Sequence, residues 1–412
     1  MENRVCIIIG ASHAGVNCAF NLRKEGWQGQ IVLFDADPHL PYHRPPLSKT
    51  FLTTNKYLDT YAIKSKDAYE NENIELNLGV RVKHINRQLQ CITLDNGETV
   101  NYNVLVLATG ASPIIPNITG LSTAKHVFVL RNATDVAQIK SCIITATVKK
   151  AVVIGGGYIG LEIAASLKKS HINVTVLERE QRVLQRVTAP IMSKYFHELH
   201  AAQGVNVLAN KNVTAVQAML RHNVVHCEDG SNYNADIIIV GVGVYVNQEL
   251  AQGTGIEILN GIKVNAKCQT SDTNIYAIGD CSYHYNPHYN RYLRLESVQN
   301  AVDQSKVAAL SICGKTATYD TVPWFWSDQY DVKLQMVGLS DGYNEVIKRG
   351  EADGDHFSVW YFKDDELLAV DAVNHAKAYV YGTKIIKEGL MINKALLSDA
   401  QTPLNIKDLT TV

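Results

Sequence analysis

The sequence predicts an α/β fold made of two parallel βαβ modules followed by a smaller α+β domain. Three observations carry that prediction. A continuous apolar run, "VCIII" (residues 5–9), leads into "GASHAG" (10–15), a helical pattern from Val16 to about Lys24, and a second run, "QIVLFD" (30–35), that ends in an acid. The same grammar recurs at "KAVVIG" (150–155), "GGGYIG" (155–160), "LEIAASLKKS" and "INVTVLE" (172–178). From about residue 320 the texture changes to short runs, "KLQMVGL", "FSVWYF" and "LLAVDAV", broken by turns such as "ADGD" and "KDDE", with a helical stretch near 381–390.

Each element has a physical reason. The run at 5–9 does not alternate, and a continuous apolar run rich in β-branched residues is what a strand buried on both faces requires. "YNVLVLATGASP" (102–113) and "ADIIIVGVGV" (235–244) give each module one further buried strand running into a glycine turn, and "NIYAIGD" (274–280) adds a strand ending in glycine and aspartate. "SVQNAVDQSKVAAL" (297–310) reads as a helix capped by Ser297. The recurrence is duplication of one module, not a solenoid repeat. The C-terminal strands and their Gly/Asp turns suit a separate α+β domain.

Composition narrows the function classes. The 412 residues are 46% hydrophobic and 19% charged with a formal net charge of −1, so no bulk charge draws the chain to nucleic acid or to a membrane surface. The eight cysteines, Cys6, Cys18, Cys91, Cys142, Cys227, Cys268, Cys281 and Cys313, form no CxxC pair and no metal-type cluster. Scattered thiols fit a reducing compartment, and a cytoplasmic location is expected. "VCIIIG" is too short for a signal-peptide core, and no apolar run reaches the roughly 20 residues of a membrane span.

The glycine loops point to chemistry. Glycine lets a backbone turn tightly and approach a pyrophosphate, and the helix behind it offers uncapped N–H groups and a positive dipole end. Gly155, Gly157 and Gly160 satisfy the full GxGxxG spacing, and Glu178 closes the following strand, where a carboxylate accepts from ribose hydroxyls and repels a 2′-phosphate. NADH is favoured over NADPH, against the pull of Arg179 and Arg182. The first loop keeps Gly10 and Gly15 but has Ser12 in the middle position; a nucleotide fits there if φ need not be positive. Two dinucleotide sites on one chain imply a relay between a held flavin and an exchanging nicotinamide.

Five segments, "PYHRPPLSK" (41–49), "GGGYIGLEIAASLKK" (155–169), "NIYAIGDC" (274–281), "RLESVQNAVDQ" (294–304) and "VPWFWSDQYDVKLQMVGL" (322–339), resemble the FAD-dependent, NADH-linked ferredoxin reductases that serve oxygenases. The resemblance is to the putidaredoxin reductase type, within the pyridine nucleotide-disulphide oxidoreductases, and it spans nearly the whole chain. It implies two Rossmann-like domains in a glutathione-reductase-like arrangement plus a C-terminal α+β domain: residues 1–112 with 245–319 for FAD, 113–244 for NADH, and 320–412. The implied reaction is hydride transfer from NADH to FAD, then single electrons to a 2Fe–2S ferredoxin feeding an oxygenase such as a cytochrome P450. A monomer or weak dimer is expected.

Site residues follow from the same resemblance. Gly10, Ala14 and Gly15 would lie against the FAD pyrophosphate, with Ser12 and His13 in the same loop. Lys49 would reach the isoalloxazine near N5, Val82 the adenine side, Arg131 the pyrophosphate, Asp280 the ribityl chain and Val298 the flavin O2 edge. Arg44, Ala108, Thr109, Gly110 and Gly279 complete the implied FAD set. Gly155, Gly157, Tyr158, Ile159, Gly160, Glu178 and Gly243 form the nicotinamide set, and Glu162 would sit near the nicotinamide and pair with Lys49. Trp326, or in second place Trp324, would lie between flavin and docking surface; a packed core tryptophan is the other reading. The family's acid falls on Ala36 here, so Asp35 and Asp37 both stand as the adenosine-ribose acid, and its usual proline falls on Val246.

Other features have plainer expectations. "SYHYNPHYNRY" (282–292) reads as a solvent loop rather than a metal site, and Cys281 as structural. His13 has two readings, a phosphate donor or an exposed loop residue. Arg291, Arg294 and Lys306 form either part of a patch for an acidic ferredoxin or a balanced solvated face. A disulphide or peroxide reductase would need a redox cysteine soon after the first module, and none lies between Cys18 and Cys91. A rubredoxin reductase and an NADH-sensing flavoprotein like apoptosis-inducing factor remain as alternatives.

Overall fold

The fold is described from a computed structural model, in which residues 4–350 and 354–410 are described. The chain divides into two compact units: Met1–His43 with Tyr57–Ser112 and Tyr245–Pro323, and Arg44–Lys56 with Pro113–Val244 and Trp324–Val412.

The first unit is built on a five-stranded parallel sheet in the order Ile275–Ala277, Val104–Leu107, Val5–Ile9, Gln30–Asp35, Ile74–Leu78. Its central strand is buried on both faces from Cys6 to Ile9, which is why the sequence there does not alternate. Helix His13–Lys24 packs with Val298–Ile312 on one side of the sheet. On the other side Ile9, Phe34, Val82, Leu105 and Ile275 share a core with the antiparallel sheet Val82–Asn86, Cys91–Leu94, Thr99–Asn101.

The second unit repeats this plan. Its parallel sheet runs Asn206–Leu208, Asn173–Leu177, Lys150–Ile154, Ile237–Val240, Val127–Phe128, with helix Tyr158–Lys169 following the central strand. It also carries a three-stranded antiparallel sheet, Val213–Ala218, Asn223–Cys227, Asn232–Ala235. The same unit holds a five-stranded antiparallel sheet in the order Trp324–Gln329, Val332–Gly338, Glu366–Val373, Phe357–Lys363, Glu345–Gly350. Helix Ala376–Glu388 lies on it so closely that a Cβ on Gly382 would be 2.6 Å from Val370 Cγ2.

Most expected elements appear within a few residues of their predicted ends, and Ser297 caps Val298–Ile312 by accepting from Asn300 N. Three expectations change. Both glycine-loop helices start three residues early, at His13 and Tyr158, because the loop glycines themselves enter the first turn. The last long helix begins at Ala376 rather than near 381. Residues 282–292 are not a solvent loop: Ser282–Asn286 and Arg291–Leu293 form a hairpin, and His284 and Asn286 are buried in it. Alternation of Tyr and His with inward polar residues hid a strand pattern, because the buried partners are themselves polar: Gln304 Nε2 donates to His284 Nδ1 at 3.2 Å.

Candidate functional site

In the first unit the C-terminal ends of four parallel strands bring Gly10, Asp35, Ala108 and Gly279 to one edge, where open α/β sheets bind ligands. Gly10 has φ +104°, and a Cβ there would lie 2.2 Å from Ala108 O. A Cβ on Gly15 would lie 1.8 Å from Gly10 O, so both positions admit only glycine. Ser12 has φ −102°, an ordinary extended value, and its side chain does not cap the helix behind it. His13 is buried as the first helical residue, 3.1 Å from His43, which removes the exposed-loop reading.

Ala14 meets the Gly279 turn, where a Cβ would be 3.0 Å from Ala14 Cβ and 3.8 Å from Ala301 Cβ. Two helix N-termini, those of His13–Lys24 and Val298–Ile312, therefore converge beside Gly279 and Asp280, with half-buried Val298 opening the second. Such a pair favours negative charge from two directions. Thr109 Oγ1 donates to Asn247 O at 2.6 Å and Asn247 Nδ2 returns a bond to Thr109 O, while Gly110 takes φ +67°. Val82 lies in the core with Ile9 and Leu107.

The second unit reproduces the loop contact for contact. Gly155 has φ +109° with its Cβ position 2.3 Å from Gly241 O, and Gly160 stands in the same way 2.2 Å from Gly155 O. Gly157, like Ser12, has an ordinary φ of −79°, with nothing within 4 Å of a Cβ built there. The acids match too. Asp35 Oδ2 accepts from Ala11 N at 2.5 Å and Oδ1 from Asp37 N at 2.8 Å; Glu178 Oε2 accepts from Gly156 N at 2.6 Å and Oε1 from Glu180 N at 2.8 Å. Each carboxylate ties its glycine loop to the neighbouring strand, and each oxygen keeps a second lone pair for a ribose hydroxyl. Asp37 is turned elsewhere, accepting from Tyr42 OH at 2.7 Å and contacting His39 Nδ1 at 2.7 Å. Asp35 is thus the counterpart of Glu178. Ile159 is exposed at the helix start, and Gly243, φ +116°, accepts from Ile114 N.

Helix Tyr158–Lys169 carries a polar stripe on an otherwise apolar body. Tyr158, Glu162 and Ser166 recur every four residues, so they share one face. Glu162 is only 2% exposed. Lys49 Nζ lies 2.6 Å from its Oε2, Ser48 Oγ donates to the same oxygen at 2.6 Å, and Ser327 Oγ donates to Oε1 at 2.7 Å. Ser166 Oγ donates to Ser48 O at 2.6 Å and fixes the segment that carries Lys49. The structure so brings Lys49 and Glu162 together, and adds Ser48 and Ser327, which the sequence reading did not single out. The available signal was the alternation in "WFWSDQ", which puts Phe325, Ser327 and Gln329 on one face, with Phe325 against Tyr158 at 5.2 Å. Trp326 falls on the opposite face of that strand, its ring 5.5 Å from Trp324, which in turn meets Tyr379 at 6.0 Å. Arg44 Nη1 donates to Arg131 O at 3.0 Å, beside the N-terminus of Ala133–Thr145.

All eight cysteines are free, and burial pushes the thiols of Cys6, Cys18, Cys268 and Cys281 up, away from the reactive thiolate. Cys281 packs its sulfur against Leu107 O and Ile278 O, a structural role. Among the described residues no cluster of metal-type ligands occurs, and no helix is long and apolar enough to cross a membrane.

Two dinucleotide cradles on one chain find their counterpart among known proteins. Residues 4–305 match the family described as pyridine nucleotide-disulphide oxidoreductase, and residues 324–407 match the reductase C-terminal family. The chain belongs to the pyridine nucleotide-disulphide oxidoreductases. It is 40% identical over 403 residues to putidaredoxin reductase CamA of Pseudomonas putida, covering 97% of this chain and 95% of that one. It is 35% identical over 372 residues to a rubredoxin-NAD(+) reductase of Pseudomonas putida, covering 90% and 96%. The solved covalent putidaredoxin reductase–putidaredoxin complex matches with a TM-score of 0.94 at 39% identity, covering 98% of each chain. As a family member the chain is an oxidoreductase that uses FAD and NAD(H). Its glycine cradles and uncapped helix starts fit two pyrophosphates.

Proposed function

We propose that this protein is an NADH-dependent reductase of a small iron–sulfur protein, with a 2Fe–2S ferredoxin of an oxygenase system as the electron acceptor. The observation that carries the reading is the pair of matched dinucleotide cradles on a chain whose cysteines are all unpaired. Electrons that reach the first cradle have no protein disulphide to reduce and leave to an external carrier. FAD, when bound, supplies the conversion of one hydride equivalent into two single electrons.

The chain's own residues do the rest. Gly10, Ala14 and Gly15 would hold the FAD pyrophosphate, Asp35 its adenosine ribose, and Arg44 and Arg131 add positive charge. Gly155, Gly157, Gly160 and Glu178 would hold NADH, the acid selecting against a 2′-phosphate. The helix that begins at Val298 would favour negative charge on the reduced cofactor, with Asp280 beside it. Lys49, held by Glu162, would work beside the flavin ring. Trp326 would stand on the acceptor side. Residues 1–112 with 245–319 are assigned to FAD, 113–244 to NADH, and 320–412 to the C-terminal domain.

Rubredoxin is the second reading for the acceptor, supported by the 35% identity to a protein of that name. A cytoplasmic monomer or weak dimer, with no nucleic-acid or membrane partner, completes the proposal. The test is spectral: the purified protein is yellow, and anaerobic NADH bleaches its absorption faster than NADPH does. A colourless protein that takes up no added FAD would refute it.

A further inference from the structure

The Glu162 carboxylate is the end of a longer run of buried polar side chains that the reaction outlined above does not use. Ser327, Gln329 and His200 are all fully buried, which an unneeded polar group rarely is. Ser327 Oγ donates to Glu162 Oε1 at 2.7 Å, and Gln329 Nε2 donates to Ser327 Oγ at 3.2 Å. His200 Nε2 lies 2.8 Å from Gln329 Oε1, and Tyr330 OH lies 3.1 Å from His200 Nδ1.

Hydrogen-bond chemistry gives this run one direction. A carboxylate only accepts, so the single Ser327 proton points at Glu162. Ser327 must then accept, and the Gln329 amide nitrogen can only donate. That leaves Gln329 Oε1 facing His200, so Nε2 of the ring carries a proton and Nδ1 takes the Tyr330 hydroxyl. Burial holds His200 below the usual imidazole range, which keeps the ring neutral. Every donor is aimed toward Glu162.

We propose that Ser327, Gln329 and His200 are positioning residues, a one-directional chain that holds the Glu162 carboxylate in the orientation that presents Lys49 to the bound flavin. The proposal rests on the reading that Lys49 and Glu162 work beside that ring. Glu162 Oε2 is held by Lys49 and Ser48, while Ser327 is what holds Oε1. Losing it lets the buried carboxylate pivot.

The test uses the holoprotein in anaerobic single-turnover reduction by NADH, with Ser327→Ala, Ser327→Thr, Glu162→Gln and the Ser327→Ala/Glu162→Gln double variant. Ser327→Ala slows flavin reduction about tenfold at saturating NADH, as loss of one bond to a charged group implies. The NADH dissociation constant stays unchanged, and Ser327→Thr restores the rate. In the Glu162→Gln background the same change adds nothing further. Independently, two-bond proton–nitrogen correlation spectra, with His200 assigned through His200→Gln, show the neutral Nε2–H tautomer. An undiminished Ser327→Ala effect without the Glu162 carboxylate, no effect at all, or an Nδ1–H tautomer overturns the proposal. If Glu162→Gln leaves flavin reduction at its native rate while His200 shows Nε2–H, the site reading has failed and the positioning role falls with it. If Glu162→Gln slows reduction but His200 is the Nδ1–H form, the chain alone has failed.

Discussion

Lys49 Nζ stands 2.6 Å from Glu162 Oε2, and the carboxylate it meets is 2% exposed. A buried charge pair is costly to leave half-made: removing one partner strands the other in a poorly hydrated place. Lys49→Met should destabilise the protein by about 3 kcal/mol, and Lys49→Met with Glu162→Gln should recover most of that loss. Urea unfolding of the four forms measures the cycle. Additive losses would show that the two side chains do not depend on each other.

The glycine loops separate a position that needs glycine from one that does not. Ser12 has φ −102°, so Ser12→Gly should change stability by only about 0.5–1 kcal/mol and leave FAD bound. Gly10→Ala places a methyl 2.2 Å from Ala108 O, which demands a backbone shift, and FAD binding should be lost or weakened by orders of magnitude. Flavin content after purification and titration of the apoprotein with FAD compare them. Equal retention of FAD by both variants would contradict the assignment of the first loop.

Glu178 has two jobs, and one substitution tests both. Its Oε2 accepts from Gly156 N at 2.6 Å, so Glu178→Ala loosens the second loop as well as removing the ribose acceptor. NADH affinity should fall about tenfold or more. NADPH should lose much less, since the carboxylate no longer repels its phosphate. The ratio of the two dissociation constants is the readout, and an unchanged ratio would remove Glu178 from nucleotide selection.

His284 makes stability depend on pH. Burial pushes its imidazole down to about 4, against about 6.5 for an unhindered ring. Between those values the unfolded chain binds the extra proton, so stability falls as pH drops, by about 2 kcal/mol from pH 7 to pH 5. Asp371, pushed up to about 6 by burial, acts with the opposite sign over part of that range. His284→Asn isolates the histidine: its stability should fall less than that of the native protein between pH 7 and pH 5. Parallel slopes in urea unfolding at the two pH values would contradict it.

What could be read from sequence and what could not divides along physical lines. Val5–Ile9 and Lys150–Ile154 announced themselves because strands buried on both faces need unbroken apolar runs, and Gly10, Gly15, Gly155 and Gly160 because no other residue fits against the facing carbonyls. The strand Ser282–Asn286 stayed hidden because its inward residues are polar: Ser282 and His284 bond to Gln304, and Asn286 to Thr321 O. Strand Val82–Asn86 and its partners Cys91–Leu94 and Thr99–Asn101 are too short, and too closely interrupted by turns, to stand out. In the site, Lys49 and Glu162 came from resemblance; 113 positions separate them, and only folding reveals that Ser327, Gln329 and His200 lie behind them.

Electron delivery tests the proposed function most directly: NADH-driven cytochrome c reduction through a panel of added 2Fe–2S ferredoxins and rubredoxins. The expected result is rapid, acceptor-dependent turnover with at least one iron–sulfur protein, with NADH far more effective than NADPH. The contradicting result is a flavin that NADH converts to a long-lived charge-transfer complex while every carrier in the panel stays oxidised.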